Sequence, residues 1–270
     1  TVTEPALSTI ELSNIETNLN GGFVINGITQ YDRAGYSVSN AGDVNGDGLD
    51  DLLISSPTVG GDYSGESYVV FGKTDNATVE LSDIRAGTGG FAIDGGGASD
   101  KNGHSSSNAG DVNGDGLDDI IIGAYRDGPN AVYSGESFVI FGKTSGTIVE
   151  ITDIQSGKGG FSIEGQSAND SSGISVSNAG DVNGDGLDDL IVGSYGSDIS
   201  ANNSGSSFVV FGKTSGANVE LSNIASATGG FVINGASAVD ASGFSVSAAG
   251  DVNDDGLSDL IVGAGGADIN

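Results

Sequence analysis

Three aspartates and an asparagine alternate along one short stretch: Asp43, Asn45 and Asp47, then Gly48, Leu49 and Asp51. All four side chains end in hard oxygen atoms, and calcium takes roughly six to eight such ligands from carboxylates, carbonyls and water. Positions 1, 3 and 5 of such a loop converge on one point when the chain curls, and Gly48 at position 6 permits the sharp turn. The backbone carbonyl of Leu49 at position 7 and the carboxylate of Asp51 at position 9 would close the shell. The stretch occurs four times, at 43–51, 111–119, 181–189 and 251–259. Its other expected ligand sets are Asp111, Asn113, Asp115, Leu117 and Asp119; Asp181, Asn183, Asp185, Leu187 and Asp189; and Asp251, Asn253, Asp255, Leu257 and Asp259. About four Ca2+ per chain are therefore expected. The last copy has Asp254 in the place of Gly46 and Ser258 in the place of Asp50, neither an expected ligand position.

Two other calcium motifs open in the same way. An EF-hand needs a glutamate at position 12 and flanking helices, but position 12 is Ile54, Ile122, Val192 or Val262. A dockerin module continues into a helix, whereas a β-branched run follows at once here. A turn that binds nothing is the remaining alternative. It would crowd three carboxylates within about 5 Å, at several kcal/mol per pair for an effective dielectric near ~20. A cation relieves that repulsion.

The elements that must position these loops recur with them. Ala-Gly-Asp-Val-Asn returns with its aspartate at 43, 111, 181 and 251, and around it four strand-like pieces keep one order. An alternating segment (Tyr36-Ser37-Val38-Ser39) precedes the loop and an apolar run (Leu52-Leu53-Ile54) follows it. An aromatic-ended run (Ser67 to Gly72) and a Gly-Gly-Phe segment (Phe91, Phe161, Phe231) complete the unit. Short β-branched pieces bounded by Gly, Asn, Asp and Ser, with no long helix, predict an all-β chain. Four strands per repeat suit the four-stranded antiparallel blade of a β-propeller. The serine-rich first strand suits the crowded axis, the doubly apolar second and third strands suit blade-to-blade stacking, and the polar ends Asn26, Asp94, Glu164 and Asn234 suit an outer edge. Residues 1–270 read as one propeller segment with about four repeats. The third-strand motif occurs only three times, so a segment of a larger propeller is expected rather than a closed ring.

The loop, the Gly-aromatic step before it (Gly35-Tyr36, Gly243-Phe244) and the Gly-Ala step after it (Gly123-Ala124, Gly263-Ala264) resemble FG-GAP repeats. These are the blades of the integrin α-subunit propeller and of many bacterial relatives. The resemblance implies a propeller, typically seven-bladed, with calcium loops between the first and second strands, and an extracellular role in adhesion or ligand binding. Ser55-Ser56-Pro57 and Gly193-Ser194 depart from the Gly-Ala-Pro pattern. The period near 70 residues is more like that of large secreted bacterial proteins, so integrin-type ligands are not expected.

With 37 Asp+Glu against 8 Lys+Arg, the net charge of −29 repels nucleic acids and anionic membrane surfaces. The longest apolar runs are too short for membrane insertion. The chain has no Cys and a single His, so a thiol nucleophile is excluded and no enzyme is expected. His104 stands where the other repeats have Tyr36, Ile174 and Phe244 and reads as a packing variant. Asp32, Asp100, Asp170 and Asp240 recur in register and read as turn caps. Lys73 and its copies, just beyond a strand, read as solvated. Repeat length varies only between the second and third strands, where recognition is most often placed. Tyr63, Tyr125, Arg126, Tyr133 and Tyr195 lie there and are the candidate contacts for an extracellular protein or glycan ligand. The expected function is a calcium-stabilised extracellular binding or adhesion scaffold, secreted or on the cell surface, within a larger protein. The alternatives are a structural spacer and the accessory propeller of a secreted hydrolase.

Overall fold

A computed structural model describes residues 22–59, 64–97 and 100–267, together with residue 15. The repeats fold as successive antiparallel blades. In the first, β2 (Ser37–Gly42), β3 (Asp51–Ser56), β4 (Glu66–Val70) and β6 (Gly90–Asp94) pair in that order. The second uses β7 (Ser105–Gly110), β8 (Asp119–Ala124), β9 (Glu136–Ile140) and β11 (Gly160–Glu164). The third uses β12 (Ser175–Gly180), β13 (Asp189–Ser194), β14 (Ser206–Val210) and β16 (Gly230–Asn234). The fourth repeat contributes the pair β17 (Ser242–Gly250) and β18 (Asp259–Ala264). The all-β propeller class and the four-stranded antiparallel blade stand as expected.

The first strands of neighbouring blades lie against one another. Serine lets them approach: Ser106 Oγ donates to Ser37 Oγ at 2.9 Å, and Ser105 and Ser175 donate to Gly173 O and Gly243 O, each at 2.9 Å. The middle strands are buried on both faces because each blade shares one core with each neighbour. Ile120 and Ile122 pack with Leu53, Val69, Phe91 and Ile93 of the first blade. Ile121 and Val139, one residue out of phase with that set, join Leu190, Val192, Phe208 and Val210 of the third.

Three features depart from the sequence reading. The fourth strand is not the outer edge of the first two blades. A two-residue strand of the following repeat, β10 (Val149–Glu150) or β15 (Val219–Glu220), adds in parallel to β6 or β11. The same insertion, β5 (Val79–Glu80), pairs with β1 (Ile25–Asn26). Unpaired N–H and C=O groups at a strand edge invite such an addition. Next, the helices Leu81–Arg85, Ile151–Gln155 and Leu221–Ala225 follow these insertions. Each buries an i, i+3 apolar pair, such as Leu81 with Ile84, a spacing that puts both on one helical face.

Finally, the lysines after the third strand are half-buried rather than freely solvated. Lys143 Nζ lies 4.3 Å from the Phe91 ring centroid and Lys213 Nζ 3.5 Å from that of Phe161, each on the preceding blade. Their stems lie along apolar surface and the ammonium faces the ring, and burial pulls both groups down to about 8. The Gly-Gly step before each of these phenylalanines has a steric cause: a Cβ on Gly90, at φ 154°, would stand 2.0 Å from Val69 O.

Candidate metal centre

Each acidic loop joins a first strand to a second, where the resemblance places it. In the first loop the Asp43 carboxylate accepts the amides of Gly46, Asp47 and Gly48 at 2.8, 3.0 and 2.9 Å, which curls the chain around it. Gly46 and Gly48 take φ of 76° and 89°, a left-handed conformation that glycine adopts without strain. At the substituted position of the last copy Asp254 holds φ 62°, a conformation that aspartate tolerates better than most residues. Asp47 Oδ1 accepts the Leu49 amide at 2.9 Å. Asp51, fully buried, accepts the amides of Val44 at 3.1 Å and Gly72 at 2.7 Å, tying the loop to the end of the third strand. Asp111, Asp115 and Asp119, and Asp181, Asp185 and Asp189, repeat this pattern. Asp251, Asp255 and Asp259 keep its core.

Burial pushes the Asp51 and Asp189 carboxyls up to about 6 and that of Asp119 to about 8, and the charges at positions 5 and 1 add to the shift. A carboxylate is thus held out of water beside two others. Asn113 Nδ2 stands between them, donating to Asp115 Oδ2 at 3.0 Å and Asp119 Oδ1 at 3.4 Å. Among the described residues no three acidic or histidine side chains are gathered closely enough to ligate one ion. The donor set nevertheless suits a hard cation. Every donor is oxygen once the Asn113 amide turns, and a carboxylate offers about four acceptor sites, of which the backbone fills three at Asp43.

One residue of the loop carries a part that the ligand pattern did not assign. Asp118 Oδ2 accepts the Asp43 amide at 2.8 Å, reaching from the second blade to the first position of the first loop. Asp188 does the same for Asp111 at 3.0 Å. In sequence these aspartates are the eighth residue of each loop, with no spacing signal that separates them from a solvated charge.

At the opposite end of the blades, Tyr125, Arg126, Tyr133 and Tyr195 come together with Asn169 and Ser171 around a cleft of ≈ 260 Å³. Tyr63 lies outside the described residues. The half-buried His104 ring packs 4.5 Å from Tyr125 and 5.4 Å from Tyr36, and its Nε2 is 3.2 Å from Tyr36 Oη. Burial lowers its pKa, which favours the neutral ring, and the ring meets Tyr36 tilted and Tyr125 edge-on. Asp32, Asp170 and Asp240 accept the amides of Thr29, Ser167 and Ser237 at 3.2, 3.2 and 2.7 Å, the turn-capping geometry expected of them.

The family profile described as "FG-GAP repeat" matches residues 34–70, 102–140 and 172–210. Each match runs from the approach to a first strand, through the acidic loop, to the end of a third strand. The chain carries FG-GAP repeats. The loop at 251–259 lies outside the matched segments. Among curated proteins, the FG-GAP chain is 33% identical over 190 residues to integrin alpha-PS2 of Drosophila melanogaster, covering 67% of this chain and 13% of that protein. It is 35% identical over 115 residues to integrin alpha pat-2 of Caenorhabditis briggsae (39% and 8%) and 28% identical over 162 residues to integrin alpha-4 of Xenopus laevis (58% and 14%). The FG-GAP chain therefore spans only 8% to 14% of the length of these relatives. Among the described residues no helix is long and apolar enough to cross a membrane.

Proposed function

We propose that the chain is a calcium-stabilised, non-catalytic propeller segment that works outside the cell as a binding scaffold. The observation that carries this reading is the acidic loop, repeated with the same oxygen donors at the same place in each blade. The FG-GAP repeats and the likeness to integrin α subunits support an extracellular, adhesion-type role. Asp43, Asn45, Asp47, Asp51 and the Leu49 carbonyl, with their counterparts, would hold the ion. Calcium, when bound, supplies positive charge to carboxylates that otherwise repel one another, and its binding energy adds to folding stability.

Calorimetric calcium titration of chelator-stripped protein tests this. About four sites are expected, with dissociation constants of roughly 10⁻⁴ to 10⁻³ M, as in extracellular modules. Asp47→Ala, which removes a ligand but only one backbone contact, should lose about one of them. No heat at several millimolar calcium would overturn the reading.

The ligand, an extracellular protein or glycan, would meet the aromatic cleft at the far end. Tyrosine and arginine together supply rigid contact area and directed hydrogen bonds. In a screen against glycans and matrix proteins, Tyr125→Ala and Arg126→Ala should each weaken any captured ligand about tenfold or more. Unchanged binding would move the contact elsewhere, and no ligand in a broad screen would favour a spacer.

A further inference from the structure

The first three loops differ in how they are held by the repeat that follows. Asp43 is fixed to the second blade at two points: its amide donates to Asp118 Oδ2 at 2.8 Å, and its carbonyl accepts the Asp118 amide at 3.2 Å. Next to it, Val44 O accepts the Lys143 amide at 2.7 Å. The second junction repeats all three bonds, with Asp111 amide to Asp188 Oδ2 at 3.0 Å, Asp188 amide to Asp111 O at 3.2 Å and Lys213 amide to Val112 O at 2.7 Å. Gly42 and Gly110 make room for the incoming carboxylate, since a Cβ on either would stand 2.1 Å from its Oδ2. At the third junction Ser258 replaces the aspartate, and among the described residues neither of the two bonds to Asp181 recurs. The Ser258 hydroxyl still occupies the same niche, 2.2 Å from where a Cβ on Gly180 would be.

We propose that Asp118 and Asp188 are positioning residues for calcium, each fixing the first-position ligand of the loop one blade earlier. This deepens the calcium reading above and rests on it. Asp118 and Asp188 touch no ion themselves; they hold Asp43 and Asp111 through the backbone, as outer partners hold metal ligands elsewhere. Fixing a ligand before the metal arrives removes an ordering cost from binding. The first two loops therefore bind calcium more tightly than the third, whose Asp181 lacks the tether. In the FG-GAP unit, the glycine before the first aspartate and the aspartate at position 8 thus form one device spanning two blades.

Calcium titration of the 270-residue chain tests the assignment. Asp118→Ala should weaken one site about tenfold, within the range for lost outer-shell contacts. Asp118→Asn, whose amide oxygen still accepts the Asp43 amide, should restore most of that loss. When Asp47→Ala has already disabled the first loop, adding Asp118→Ala should change nothing further. Ser258→Asp should strengthen one site about tenfold. A second readout needs no metal: in calcium-free protein, the Asp43 amide should exchange with solvent faster in Asp118→Ala than in Asp118→Asn.

Wild type that binds calcium while Asp118→Ala leaves the isotherm unchanged overturns the positioning role alone. So does a loss that persists in the Asp47→Ala background, since Asp118 would then serve its own loop. If Asp118→Ala does not fold, Ser258→Asp without a gain in affinity overturns it. A wild type silent to calcium overturns the calcium reading and the inference together.

Discussion

Phe161→Ala lowers stability by about 4 kcal/mol. Phe161 is 0% exposed, packs between the second and third blades, and has Lys213 over its ring face and Phe141 at its edge. Truncating it removes the transfer energy of the ring, opens a cavity in a core shared by two blades, and strips the ammonium of its aromatic partner. Urea unfolding of the variant checks this: its midpoint should fall well below that of the wild type with the slope unchanged. A loss of about 1 kcal/mol or less would mean that local strand structure, not packing between blades, sets the cost.

Glu136→Gln stabilises the protein above neutral pH, whereas Glu66→Gln, at the equivalent position one blade earlier, destabilises it. Both glutamates are fully buried at the start of a third strand. Burial pushes the Glu66 carboxyl up as well, but its partners offset part of that: Tyr68 Oη donates to it at 2.7 Å, and Arg85 bonds to it and bridges to Asp94 at 3.1 Å. In the second blade Arg85 is replaced by Gln155 and Tyr68 by Phe138. Glu136 is left with one amide donor, Gln155 Nε2 at 3.1 Å, and faces the carboxyl of Asp127, with Glu164 opposite it on the next strand. Burial, then the Asp127 charge, push the Glu136 carboxyl well above its usual range.

A raised folded-state pKa means that the folded protein holds the proton more tightly than the unfolded chain does. The resulting stability is fully present below the ordinary glutamate value near ~4.3 and is lost as pH rises towards the folded value. Glutamine mimics the protonated form, so Glu136→Gln should gain about 1–3 kcal/mol at pH ~8 and remove the part of the pH dependence above pH ~5 that Glu136 supplies, leaving that of the raised Asp51, Asp119 and Asp189 carboxyls. Glu66→Gln instead takes a charged partner from Arg85 and should cost about 1–2 kcal/mol, because Arg85 is itself partly exposed. Thermal unfolding across pH 5 to 9 checks both. A Glu136→Gln profile that parallels wild type would exclude Glu136 as a source of the slope.

Much was legible in residue types and spacing alone. The repeated loop, the two-residue alternation and the Gly-Gly-Phe step defined the strands, their order and the blade, because each depends on neighbours in the chain. The curl around Asp43 is likewise local: its carboxylate meets amides only three to five residues away. The capping role of Asp32 and its counterparts belongs to the same class.

Whatever depends on contact between repeats was decided by the tertiary structure. Val79–Glu80 and its copies are too short to signal strands, and they become strands only because a neighbouring blade presents a free edge. Lys143 reads as solvated until Phe91 of the preceding blade is placed beneath it. Glu66 and Glu136 occupy one position of one repeat, and their difference comes from Arg85 and Gln155, 19 residues further along. Asp118 is an unremarkable charge within its own loop and a tether only beside Asp43, 75 residues earlier. Repetition writes the local geometry into every unit, but burial, charge compensation and tethering belong to pairs of units, and one period of sequence does not contain a pair.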